Sequence, residues 1–262
     1  MARRAGGDTA QTPPTKHQRH LRELAELGDD PSAVMVYLTT HSNLPGPRGN
    51  LELAAAFADW ASDEVVDSLA DSEDEYLNFC HVLALGERLS HVDDPALLKR
   101  LHEHARDPRW RVREAVATGL QRVGDRDLTR LVGIVQTWAE DPDPLVQRAA
   151  AAAICEPRLL NDELGAAAAR QVCDTTTRLL AARPLTDRKD PDVRVLRQAL
   201  GYCWSVAVAA DPDPGLAAFA VWQQSADPDV GWIVRENLKK ARLKRILTPS
   251  WLESHRERPA SY

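Results

Sequence analysis

Residues 107–124 read DPRWRVREAVATGLQRVG, and the chain repeats that unit. Asp107 is placed to accept a hydrogen bond from a free backbone N–H at a helix start. Pro108 follows at the first helical position, where its missing N–H costs nothing. Val112, Ala115, Val116, Leu120 and Val123 then fall at helical spacing and make one apolar stripe. Arg109, Arg111 and Arg113 face elsewhere. Gly124 stands where a left-handed C-terminal cap belongs. A helix with one apolar face needs a neighbour, and near copies of this one follow it.

The same Asp-Pro signal recurs. Asp94-Pro95 opens a helix over 95–105, the partner of the one at Asp107. Asp143-Pro144, Asp190-Pro191, Asp213-Pro214 and Asp227-Pro228 open others. The second helices of successive pairs therefore begin near 107, 143, 190 and 227, at intervals of 36, 47 and 37 residues. A period of that size, one helix pair each, predicts an all-α fold of the α-solenoid type. Strand signals are nearly absent, and LVGIVQTWA at 131–139 keeps helical spacing.

Outward from this core the pattern loosens. Residues 1–16 are polar and Pro-interrupted and read as a disordered leader. Helices are expected from His17 to Leu27 and from Pro31 to Thr40. The Pro- and Gly-rich loop 43–50 leads to Asn50, a natural cap. Ser62 caps a short helix, and Ser72 with Glu75 forms a capping-box pattern before a helix toward Leu89. A single solenoid is expected over 17–252, with degenerate repeats at 17–90 and clearer ones at 94–245. A frayed tail is expected at 253–262.

The net charge of −6 argues against wholesale coating of nucleic acid. The charge is uneven. Gly49 to Glu87 holds ten acidic residues and no Lys or Arg, whereas Arg235 to Arg258 holds eight Lys or Arg against three Glu. Cys80, Cys155, Cys173 and Cys203 form no CxxC pair, and free thiols in a reducing cytoplasm are expected. No apolar run approaches the roughly 18 residues that span a bilayer, and no signal-peptide core opens the chain. No cofactor or metal is expected. His102 and His104, two apart, diverge on a helix. There is no HExxH, no phosphate-binding GxxxxGK and no nucleophile elbow.

The recurring Asp-Pro…Val-Arg pattern resembles HEAT repeats, as found in bacterial HEAT-repeat proteins. It is carried by Asp107, Pro108, Val112 and Arg113, by Asp190, Pro191, Val193 and Arg194, and by Asp227, Pro228, Val234 and Arg235. Asp143, Pro144, Val146 and Arg148 fit with shifted spacing. The resemblance implies antiparallel helix pairs in a right-handed superhelix, with second helices lining a concave face. It also implies a binding or scaffold protein that takes a protein or peptide partner there. An alternative is the alkylpurine DNA glycosylase family, which is built from HEAT-like repeats. Trp60, Asp63, Asp67 and Trp110 resemble its lesion-binding residues, and DNA would then be the partner. The Trp-to-Asp spacing differs from that family's, and Asp63 lies where the chain is most acidic.

Candidate binding residues follow. Trp110 and Trp232, both near second-helix starts, can present indole faces to a partner or pack between repeats. Arg109, Arg111, Arg113, Arg148, Arg194 and Arg235 can select carboxylates or phosphates. They can equally bridge repeats through Asp107, Asp143, Asp192 and Asp229. Lys239 belongs to a basic run that suits an acidic partner or the C-terminal end of a helix. Arg48, Gly49 and Asn50 form a corner fit for an anion or for rigid geometry. Asp63 and Asp67 are the candidate catalytic carboxylates of the glycosylase alternative.

Overall fold

The computed structural model describes residues 13–247. The expected tail at 253–262, and residues 1–12 of the expected leader, lie outside the described residues. Lys16 already opens the first helix, and Thr15 caps it through a reciprocal pair of hydrogen bonds with Gln18. Among the described residues there are fourteen α-helices and no strand, and the fold is an all-α solenoid. The chain divides into two compact units, up to His81 and from Val82 on.

The first unit contains α1 (Lys16–Leu27), α2 (Pro31–Thr40), α3 (Leu51–Trp60), α4 (Asp63–Ser68) and the start of α5 (Glu75–His91). α1 lies against α3. Leu24, Leu38, Leu53, Phe57, Val65 and Leu69 are wholly buried. Each helix start is set by a local oxygen: Asp30 for α2, Asn50 for α3 and Ser62 for α4.

The second unit carries the repeats. Its helices are the remainder of α5, α6 (Pro95–His104), α7 (Trp110–Arg126), α8 (Leu128–Ala139), α9 (Pro144–Ile154), α10 (Glu163–Ala182), α11 (Pro191–Ala210), α12 (Pro212–Gln223), α13 (Pro228–Leu238) and α14 (Ala241–Lys244). Neighbours pair as α6 with α7, α8 with α9, α10 with α11 and α12 with α13. The second members α7, α9, α11 and α13 also touch in series, and α8, α10 and α12 do so in the other layer. Small residues let the rods approach: Ala149, Ala150, Ala151 and Ala153 on α9 and Ala166, Ala168 and Ala169 on α10 are all buried. Polar bonds also cross the stack. The buried Asn237 amide on α13 donates to Leu200 O at 2.9 Å and accepts from Ser205 N at 2.8 Å, both on α11.

Several local expectations need correction. Asp107 does not cap α7, which starts two residues later at Trp110 with no side-chain cap. Its carboxylate instead accepts from the backbone N–H and guanidinium of Arg109. A fork of charge-assisted bonds two residues away outcompetes a single capping bond. Gly124 does not end the helix. α7 continues to Arg126, and Gly124 is buried where an added Cβ would meet Leu131 at 2.5 Å. Asp74 stands where Ser72 was expected as the cap of α5, accepting from Tyr76 N and Leu77 N. α12 begins one Asp-Pro earlier than expected, at Asp211-Pro212.

The Asp-Pro corners are tied to the preceding repeat by arginines. Arg106 meets Asp143 at 3.3 Å, Arg188 meets Asp227 at 2.5 Å, and Arg197 meets Asp229 at 2.5 Å. Burial favours the neutral form of Asp227. The Arg188 hydrogen bond and the backbone N–H groups of Asp229 and Val230 outweigh it, and its pKa lies below the ordinary 3.8. A depressed folded pKa stabilises above the unfolded value and ceases to do so as pH falls through the folded one. Arg188→Gln is therefore expected to lower the melting temperature at neutral pH, and the gap from the parent should narrow below about pH 4. Melting curves across pH check this; a gap as wide in acid as at neutrality counts against the pair.

Candidate binding surface

α7 presents Trp110 as its first residue, and the indole is 51% exposed. The Arg111 guanidinium stacks over it, 4.6 Å from the ring centroid. Beside it lies a hollow of about 240 Å³, lined by Trp110, Arg113 and Glu114 of α7, by Arg148 of α9, and by Val195, Gln198 and Ala199 of α11. Three successive second helices thus meet at one place.

The arginines there are held in different ways. Arg113 Nη1 donates to Asp107 O at 2.6 Å and Pro108 O at 3.0 Å, inside its own repeat. Arg148 bridges repeats, donating to Arg113 O at 3.2 Å and to the Glu114 carboxylate. Burial lowers the Arg113 pKa, and the nearby Arg148 charge lowers it further. Two guanidiniums and one carboxylate line the hollow, and the charges of Asp107 and Asp192 also act on Arg113. Arg109 is committed to Asp107. Arg194, on α11 beside Val195, is exposed and makes no ion pair among the described residues.

The structure thus gathers Trp110, Arg113 and Arg148 around one hollow, with Arg111 stacked on the indole. It separates Trp232, Arg235 and Lys239 from them. Trp232 is wedged between repeats: a Cβ on Gly201 of α11 would lie 2.9 Å from its ring, and Arg197 stacks on it at 4.7 Å. Arg235 is exposed on α13, and Lys239 pairs with Glu236 at 2.5 Å. The role of Glu114 and of the α11 wall was not anticipated. Val195, Gln198 and Ala199 sit at helical i, i+3 and i+4, so their shared face was legible from spacing.

In the first unit, the corner at 48–50 is built into the loop. Asn50 N donates to Ser42 O, its side chain accepts from Leu53 N and donates to His41 O, and Tyr76 donates to Asn50 O at 2.6 Å. Gly49 lies 3.4 Å, measured from an added Cβ, from the Tyr76 ring, and Arg48 is exposed. Asp63 and Asp67 are exposed on the six-residue α4. Nothing in the site favours the glycosylase alternative.

All four cysteines are buried, and the fold brings Cys155 Sγ to 3.7 Å from Cys173 Sγ although 18 residues separate them. Burial pushes the Cys80 thiol well above its ordinary pKa. Among the described residues no group of three or more His, Cys, Asp or Glu is arranged to hold a metal. No described helix is long and apolar enough to cross a membrane.

The family model for HEAT repeats matches residues 62–155, from the start of α4 to the end of α9. That match supports a HEAT-repeat protein. No curated protein matches the chain. No solved structure matches it either.

Proposed function

We propose that this chain is a HEAT-repeat scaffold that binds a protein or peptide partner on the face shared by α7, α9 and α11, with Trp110 as the anchor. The observation that carries this reading is a half-exposed tryptophan beside a hollow to which three consecutive repeats contribute. An indole kept in water gains by being covered, and such residues dominate binding energy where they are desolvated. The guanidiniums of Arg113 and Arg148, with Arg111 stacked on the indole, select acidic side chains on the partner. Solenoid repeats supply a preformed surface, so little ordering opposes binding. Four free, buried cysteines are in keeping with a reducing cytoplasm on this reading.

Panning the full chain against displayed random dodecapeptides tests it. Enriched peptides should carry Asp or Glu near an apolar residue. They should lose about tenfold or more in affinity with Trp110→Ala, a loss of about 1.4 kcal/mol. The melting temperature should stay within a few degrees of the parent, because Trp110 is half in water already. Peptides that bind parent and variant alike, or no enrichment at all, would remove Trp110 as the anchor.

A further inference from the structure

A larger hollow, of about 530 Å³, lies in the same unit beside the C-terminal end of α11. Pro157, Leu160, Val206, Ala209 and Ala210 are the apolar residues of its wall, and polar atoms supply about as much of its surface. The volume is that of a small-molecule site. Among the described residues, two polar side chains line it. Asn161 donates its amide to Arg158 O at 2.8 Å. Arg242, from α14, is the one charged group of the lining among the described residues.

Arg242 is held differently from its fellows. Arg122, Arg148, Arg188 and Arg197 each meet a carboxylate: Glu87, Glu114, Asp227 and Asp229. Arg242 instead donates to the Tyr202 hydroxyl at 2.6 Å and stacks on that ring at 4.8 Å. It makes no ion pair among the described residues. A phenol oxygen and a ring face fix the guanidinium without neutralising it. Its other N–H donors keep the planar fork geometry that suits a carboxylate. Lys240, 5.7 Å from the same ring, adds to the local positive potential.

We propose that the hollow between the C-terminal end of α11, the segment around Pro157 and Arg242 binds a small amphipathic monocarboxylate, its acid group on Arg242 and its hydrocarbon body against Val206, Ala209 and Leu160. Among the described residues the lining carries a single cation and no acid, which matches a monoanion rather than a multiply charged phosphate. The site is separate from the Trp110 hollow and does not depend on the reading of that surface.

Titration of the full chain with octanoate, followed by NMR of the backbone amides of Leu160, Asn161, Val206 and Ala209, tests the proposal. Saturable shifts are expected at these positions. Octanamide, the same size without the charge, should bind at least about tenfold more weakly. Arg242→Gln should weaken octanoate at least as much, and Ala210→Phe, which fills the hollow, should abolish the shifts. Melting curves establish that both variants fold. Absence of saturable shifts up to roughly 10 mM octanoate overturns the proposal. So does equal binding of octanamide, an outcome that needs no variant at all.

Discussion

Trp204→Ala is expected to destabilise the second unit by about 3–5 kcal/mol. Trp204 is wholly buried on α11. Its indole N–H donates to Thr177 Oγ1 of α10 at 2.9 Å, and its ring lies 5.7 Å from that of Phe219 on α12. One side chain therefore joins three helices from two repeats. Truncation removes the largest wholly buried side chain of the described core and leaves a cavity that rigid rods cannot close. For a unit of this size the melting temperature should fall by roughly 10 °C. Trp204→Phe keeps most of the ring packing and loses the hydrogen bond, so about 1–2 kcal/mol is expected. Urea unfolding followed by circular dichroism checks both. A loss below about 1 kcal/mol for the alanine variant would mean that the repeats readjust around it.

The second large effect comes from adding one carbon. Gly86 of α5 and Gly119 of α7 meet backbone to backbone. A Cβ on Gly86 would lie 2.2 Å from Gly119 Cα and 2.7 Å from its carbonyl carbon. Neither atom can rotate aside, so α5 and α7 must separate. Alanine in place of a mid-helix glycine would ordinarily stabilise by up to about 1 kcal/mol. Here overpacking reverses the sign, and Gly86→Ala should cost about 2–3 kcal/mol net. Gly119→Ala, whose Cβ approaches Gly86 Cα at 3.0 Å, should cost less. Gly133 of α8 is the control. Nothing lies within 4 Å of its added Cβ, so Gly133→Ala should stabilise by about 0.5–1 kcal/mol. If Gly86→Ala and Gly133→Ala shift stability in the same direction, the close approach of α5 and α7 is wrong.

The two hollows differ in what they ask of a partner. The one at Trp110 is small, lined by two arginines and edged by an exposed aromatic, which suits a side chain delivered by a larger molecule. The one at Arg242 is larger and sets one guanidinium among apolar residues, which suits a free ligand. Their tests are independent, so failure of either leaves the other standing.

What the chain determines by local chemistry was legible without coordinates. Asp94, Asp143, Asp190 and Asp227 each cap a helix with proline at its first position, as their order dictates. The stripe from Val112 to Val123 is buried, and the period of the second helices matches the serial contacts of α7, α9, α11 and α13. These features depend on a few neighbouring residues. Only the tertiary structure decided the rest. Trp110 and Trp232 look alike in sequence, yet one faces water and the other fills the space above Gly201. Arg113, Arg148 and Arg194 share one motif, yet they hold a loop, bridge a repeat and stand in solvent. Gly124 carries the signal of a helix end and instead leaves room for Leu131. The physical reason is the same throughout: such roles are set by distances between helices, and unequal repeat lengths change those distances from one pair to the next.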